Sequence, residues 1–233
     1  PFKPIIKNND LIGRGANDMK SSIACFVAAV SKYLKKKPKV NGSISFLITG
    51  DEEGEAINGT KKVVEYLKKK KEKISFCIVG EPTNPKKLGE MIKVGRRGSL
   101  SGNLEVAGTQ GHVAYPHLSN NPINTLISIC NKLKKTKLDN GNKNFQPSNL
   151  EFTSIDVDNK AHNVIPSTVK MQFNVRYNDI HTAVSLKKKI NIAIKKICKK
   201  NKCNFKINYK VNGDAFLTKP ERTIYMAKKI IKR

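Results

Sequence analysis

Apolar residues recur three or four positions apart through Ile23, Phe26, Val27, Val30 and Leu34, and this helical period predicts an amphipathic helix over 21–36, closed before Pro38. Asp18 then sits at the helix entrance. A short unbroken apolar run, Ile44 to Ile48, predicts a buried strand that delivers Asp51, Glu52 and Glu53 at its C-terminal end. A helix over 60–70 follows. A second apolar run, Ser75 to Val79, predicts a strand that delivers Glu81 in the turn Gly80-Glu81-Pro82. Alternating helix and strand in this part predicts an α/β layer with a largely parallel sheet.

Beyond Gly98 the texture changes. Leu100, Gly102, Leu104 and Val106 share one strand face, as do Val169, Met171, Phe173 and Val175, and this two-residue alternation predicts an antiparallel sheet buried on one side. Helical patterns accompany it over 122–135, with Pro122 suited to the first turn, and over 182–199 with Val184, Ile190, Ile194 and Ile197. Phe205, Ile207 and Tyr209 predict a closing strand. From about 212 the chain leaves this α+β unit into a last helix running to Arg233. No internal repeat or low-complexity linker separates the parts.

Composition narrows the function classes. No apolar run approaches the roughly 20 residues of a membrane span, so no membrane partner is expected. The formal charge of +27 invites a nucleic-acid reading. Against it, lysine is spread over nearly every predicted helix, and runs such as Lys68 to Lys71 and Lys187 to Lys189 lack interleaved aromatics for base stacking. Solvated helix faces are the expectation, with no nucleic-acid partner. Cys25, Cys77, Cys130, Cys198 and Cys203 are an odd, scattered set without C-x-x-C spacing, which fits reduced thiols in the cytoplasm. The sequence opens Pro-Phe-Lys-Pro rather than with Met and lacks the order of a secretory signal, so a longer natural N-terminus is expected.

Against this basic background, only 18 residues are acidic, yet Asp18, Asp51, Glu52, Glu53, Glu55 and Glu81 all fall at ends of predicted elements on one edge. Strand C-termini of a parallel sheet open onto one crevice, where carboxylates from separate loops converge. Converging negative charges repel unless a cation lies between them, and two divalent metals about 3.5–4 Å apart could share a bridging carboxylate. The alternative is helix N-terminal carboxylates answering the macrodipole, with no metal. Spacing alone leaves both open. Adjacent Glu52 and Glu53 favour the metal, since such a site needs one carboxylate as ligand and a neighbour to handle a proton.

The segments Gly13-Arg14-Gly15-Ala16-Asn17-Asp18-Met19-Lys20, Gly50-Asp51-Glu52-Glu53-Gly54 and Gly80-Glu81-Pro82-Thr83 resemble, in that order, the co-catalytic zinc aminoacylase and carboxypeptidase family. Three further segments are similar to the branch that hydrolyses a succinyl amide in lysine and diaminopimelate biosynthesis. They are Val94 to Leu100, Gly111 to His117 and Asn163 to Pro166. The resemblance implies an α/β fold, a zinc-peptidase-like catalytic domain with an inserted α+β lid and dimerisation domain. Its expected boundaries are 1–97 for the first catalytic part, 98–211 for the lid and 212–233 for the start of the second catalytic part. It implies two Zn2+ ions, with Co2+ possible. Asp18 would bridge them, Glu53 and Glu81 would each hold one, and Glu52 would serve as general base toward water acidified by zinc.

In the same reading His112 reaches the partner subunit's site of a homodimer and stabilises the developing oxyanion. Arg97, Ser99, Tyr115, Asn163 and Arg176 bind the carboxylates of a small-molecule substrate, a task that suits arginine's planar fork. Arg176 also alternates out of phase with Met171, Phe173 and Val175, which points it away from the core. Ser21 and His162 depart from the family's expected glycine and asparagine, and neither position is a proposed ligand. His117 has no assigned role, and His181 is expected to be an ordinary surface histidine. The family's His-x-Asp motif and C-terminal histidine ligand have no counterpart in this sequence, so the chain is expected to be the central piece of a longer protein and, alone, to bind zinc weakly. Rival expectations are another N-acyl-amino-acid deacylase or metallopeptidase of the family, or an inactive chain that only dimerises.

Overall fold

The computed structural model describes residues 1–54, 56–219 and 222–231, in two compact units, Pro1–Met91 and Ile92–Arg233. Glu55 of the acidic set lies outside the described residues.

The first unit opens on a hairpin of β1 (Ile5–Lys7) and β2 (Asp10–Ile12), with Ile5 opposite Ile12. Asn8 and Asn9 form its two-residue loop at φ of 51° and 65°, the left-handed pair that matches strand twist. A kinked turn at Ala16–Lys20 leads into α1 (Ser21–Lys36), and α2 (Thr60–Lys69) follows. Both helices form over the expected stretches, α1 where the apolar period places it. The two expected strands do not: residues 44–48 and 75–79 carry no ladder, and Ile48 is 63% and Val79 70% exposed. A buried parallel strand needs a bonded neighbour on each edge and cover on both faces. Among the described residues of this unit, only β1 and β2 pair.

The second unit is a two-layer α+β structure. It adds β3 (Gly95–Arg96), β4 (Gly98–Ala107), β5 (Gly111–His112), α3 (Pro122–Lys135), β6 (Asn149–Asp156), β7 (Val164–Ile165), β8 (Thr168–Tyr177), α4 (Ala183–Lys200), β9 (Asn204–Gly213), β10 (Phe216–Leu217) and α5 (Arg222–Ile231). Four long strands form an antiparallel sheet in the order β6-β8-β4-β9, while β5 pairs with β7 and β3 with β10. Leu100, Leu104 and Val106 alternate with solvent-side residues on β4, as do Val169, Met171, Phe173 and Val175 on β8, and all seven are at most 1% exposed. Against this face pack Leu126 and Ile129 of α3 and Leu186, Ile190 and Ile194 of α4.

Local chemistry sets the ends of these helices. The Asn121 side chain accepts from Ile123 N–H at the start of α3, where Pro122 occupies the first turn and gives up no needed donor. Thr182 and Ser185 form a reciprocal capping box on α4. Strand β6 escapes the alternation rule because a register shift between Phe152 and Ser154 breaks its period and leaves Ile155 59% exposed.

Candidate functional site

In the first unit, the segment carrying Asp18 is shaped by Gly15, whose φ of 78° is a left-handed turn that side chains resist. Ser21 Oγ donates to the Ala16 carbonyl, and the Asp18–Met19 peptide is cis. Gly80 brings Glu81 to the same place. A Cβ there would lie 2.8 Å from Phe26 Cε2, 2.9 Å from Met19 Cε and 2.9 Å from Ser22 Cβ, so only glycine lets this turn press against the start of α1. Asp51 serves its own loop, its Oδ2 accepting from Ile57 N–H at 2.9 Å and Asn58 N–H at 3.1 Å.

The carboxylates converge. Partial burial raises the Glu81 carboxyl above its ordinary range, reinforced by the charge of Asp18, a hydrogen bond with Asp18, and then the charges of Glu52 and Glu53. Such mutual repulsion is what a cation would relieve. The set fits zinc only in part, however: no histidine occurs within 1–91, and zinc sites favour nitrogen or sulfur beside oxygen. Among the described residues, no three His, Cys, Asp or Glu side chains stand in metal-holding geometry.

In the second unit, the expected substrate residues fall into two groups. Asn149 of β6 faces Arg176 of β8, which faces Ser99 of β4, so the three form a row across the sheet. Arg176 is exposed, as alternation places it. Ser99 is only 4% exposed, and its Oγ accepts from Asn174 Nδ2 at 3.1 Å. Arg97 lies beside this row and donates from Nη1 to the Pro147 carbonyl at 3.1 Å and to Asn149 Oδ1 at 2.9 Å.

The second group gathers where β5 meets β7. His112 Nδ1 accepts from Ala114 N–H at 3.1 Å, so the neutral ring carries its proton on Nε2. Nε2 faces Asn163 Nδ2 at 3.5 Å, and Val113 N–H donates to the Asn163 carbonyl at 3.0 Å. Tyr115 is 57% exposed, its ring centroid 6.0 Å from that of His112 and 6.4 Å from that of His117. The two groups lie at opposite ends of β4. Its ten residues separate them by about 30 Å at a rise of about 3.4 Å per residue.

His181 is a correction. It is 7% exposed rather than on the surface, and its Nε2 lies 3.2 Å from Asp139 Oδ2 and 3.2 Å from the Leu138 carbonyl. Asp139 Oδ1 also accepts from Gly141 N–H at 2.7 Å, Ser148 N–H at 3.2 Å and Asn178 Nδ2 at 2.7 Å. Burial alone would raise this carboxyl, but the bonds from Ser148, Gly141 and Asn178 outweigh it and hold it at about 2. The only signal in the sequence was the turn tripeptide Asp139-Asn140-Gly141. Nothing local announces a partner 42 residues on.

Residues 94–202 match the peptidase dimerisation domain. The backbone over 99% of the chain follows 59% of aminopeptidase PepT from Bacillus cereus at a TM-score of 0.75 and 16% identity, and equal shares of a tripeptidase from Staphylococcus aureus at 0.70 and 15%. The chain therefore follows part of the α/β fold of these peptidases, with an α+β unit that matches the dimerisation domain.

Over its whole length the chain is homologous to proteins named succinyl-diaminopimelate desuccinylase. It is 62% identical to that of Pelagibacter ubique over 100% of this chain and 61% of the relative. For that of Parvibaculum lavamentivorans the identity is 50% over 94% of this chain and 55% of the relative. The chain thus spans about three-fifths of the length of these curated relatives. No helix among the described residues is long and apolar enough to cross a membrane.

Proposed function

We propose that this protein is a metal-dependent amide hydrolase that converts N-succinyl-LL-2,6-diaminopimelate to succinate and LL-2,6-diaminopimelate in lysine and diaminopimelate biosynthesis. The observation that carries this reading is the end-to-end similarity, at 62% identity, to a protein named for that reaction. The convergence of Glu81 with Asp18, Glu52 and Glu53 adds chemical support.

Asp18, Glu53 and Glu81 are the residues that would hold metal, zinc or cobalt, with further ligands from outside this chain. When bound, the metal would polarise the amide carbonyl and acidify a water. Glu52, beside the ligand Glu53, takes a proton from water and returns it to the departing amine. His112, with Nε2–H available, donates to the oxyanion that develops on the carbonyl oxygen. Arg97, Arg176, Ser99, Tyr115 and Asn163 hold the substrate's carboxylates.

The span of about 30 Å along β4 keeps His112 and the Arg97–Arg176 corner of one copy from meeting on one small substrate. That separation supports a homodimer, built through residues 98–211, in which each site takes His112, with Tyr115 and Asn163 beside it, from its partner. Residues 1–97 and 212–233 then belong to the catalytic part. Five free thiols suit a cytoplasmic setting.

The test is to express the full reading frame encoding this chain, supply zinc or cobalt, and compare hydrolysis of the succinylated substrate with acetylornithine and dipeptides. Preference for the succinyl amide supports the reading. Preference for either other class assigns a different family activity, and no hydrolysis of any would leave a chain that only dimerises.

A further inference from the structure

Arg97 is half-buried between β3 and β4, and its Nη1 nitrogen is fully engaged by the Pro147 carbonyl and Asn149 Oδ1. A guanidinium has five N–H groups, and those on Nε and Nη2 have no hydrogen-bond partner among the described residues. That edge is one that meets a carboxylate with two parallel bonds. No carboxylate pairs with Arg97 among the described residues, where Lys134 pairs with Glu151 and the His181 ring contacts Asp139. Arg176 adds a second guanidinium in the same cross-strand row, next to Asn149.

The segment that grips Nη1 is itself held from beneath. Ser148 N–H donates to the Asp139 carboxylate, and Ser148 Oγ accepts from Asn178 N–H at 3.0 Å. Asn178 Nδ2 ties the Gln146 carbonyl at 3.2 Å to Asp139 Oδ1 at 2.7 Å. Asn178 is fully buried and the Asp139 side chain is 6% exposed, so residues 146–149 hang from an interior anchor.

We infer that Asn149 is a positioning residue. With the Pro147 carbonyl it fixes the plane of Arg97, so that the Nε/Nη2 edge faces a carboxylate of a dicarboxylic ligand, and Asp139 anchors the segment that does so. The inference rests on the proposed role of Arg97 as a carboxylate binder. A free guanidinium would rotate about its Nε–Cζ bond, whereas a clamped one is already oriented and loses less freedom on binding.

The test titrates the 233-residue chain with succinate, and with succinamide as a neutral control, while isotope-labelled arginine side chains are followed by NMR. Arg97→Gln and Asn149→Ala are compared with the parent, and thermal melts check that the exposed Asn149 is replaced without loss of fold. Succinate alone should bind, and Arg97→Gln should abolish binding. Asn149→Ala should weaken it roughly tenfold, with an unchanged melt and merging of the separate Arg97 Nη signals as rotation is freed. If Asn149→Ala binds as tightly as the parent and keeps separate Nη signals, the clamp is refuted while Arg97 keeps its role. If succinate does not bind, or binds Arg97→Gln equally well, the carboxylate role of Arg97 fails and the inference falls with it.

Discussion

Replacing Asp139 should cost the second unit more stability than any single surface change, and the cost should depend on pH. Its carboxyl, 6% exposed, faces His181, 5% exposed, and collects donors from Gly141, Ser148 and Asn178. Holding it at about 2 against an ordinary 3.8 contributes about 2 kcal/mol at neutral pH, since one unit is worth about 1.4 kcal/mol. Asp139→Asn should lose about that much. Asp139→Ala should lose about 3–5 kcal/mol, because it also strands buried donors. Folding lowers this carboxyl, so the unfolded chain binds the extra proton first. The contribution is therefore complete above about pH 4 and disappears as pH falls toward about 2. The assay is amide exchange at β4 and β8 through urea titrations at several pH values, read as the difference between parent and Asp139→Asn. General acid destabilisation from the charge of +27 is common to both and cancels. If the two proteins lose stability in parallel between pH 4 and 2, or if Asp139→Ala costs under about 1 kcal/mol, the network is not what holds this corner.

Three further outcomes are expected. Gly102→Ala should lower stability by about 1–3 kcal/mol in thermal melts, because a Cβ there would lie 2.3 Å from Phe173 Cζ across the strands; an unchanged melting temperature would show that the ring slides aside. Calorimetric titration of this chain with zinc should show weak binding that Asp18→Asn reduces, and two tight sites would refute the view that its donor set is incomplete. On the proposed function, Glu52→Gln and His112→Ala in the protein expressed from the full reading frame should each lower kcat for the succinyl amide by at least about 100-fold. A mixture of the two should recover activity that neither has, and failure to do so would argue against a histidine supplied by the partner.

How much was legible depended on the range of the interactions involved. Helix α3 begins at Pro122 and ends at Lys135, as its pattern and first-turn proline indicate, because caps and periods are local. Strands β4 and β8 were readable for the same reason: a sheet covered on one face writes its alternation into the sequence, and that alternation also turned Arg176 outward. His181 misled because its partners, Leu138 and Asp139, are remote in sequence. Asn149 was overlooked because its task is to hold Arg97, 52 residues earlier. The carboxylates Asp18, Glu52, Glu53 and Glu81 stood out for a different reason, being scarce in a basic chain and grouped at element ends.

The apolar runs at 44–48 and 75–79 show what a sequence pattern states and what it leaves open. An unbroken apolar run is a demand for cover, since each large side chain left in water forgoes about 1.5–3 kcal/mol. In the second unit that demand is met within the unit: β4 and β8 lie between bonded neighbours and under α3 and α4, and their apolar residues are buried. In the first unit the same kind of demand goes unmet among the described residues, where α1 presents Val27 at 51% and Leu34 at 39% exposure and residue Phe46 stays 47% exposed. Periodicity thus identified the helices and the segments that demand cover, while strand pairing depends on neighbours that no single segment encodes. The carboxylates come together nonetheless, because Gly15 and Gly80 are local devices: one bends the chain ahead of Asp18, and the other lets Glu81 approach it. The position of these acids is therefore set by turns, and does not wait on completion of a sheet.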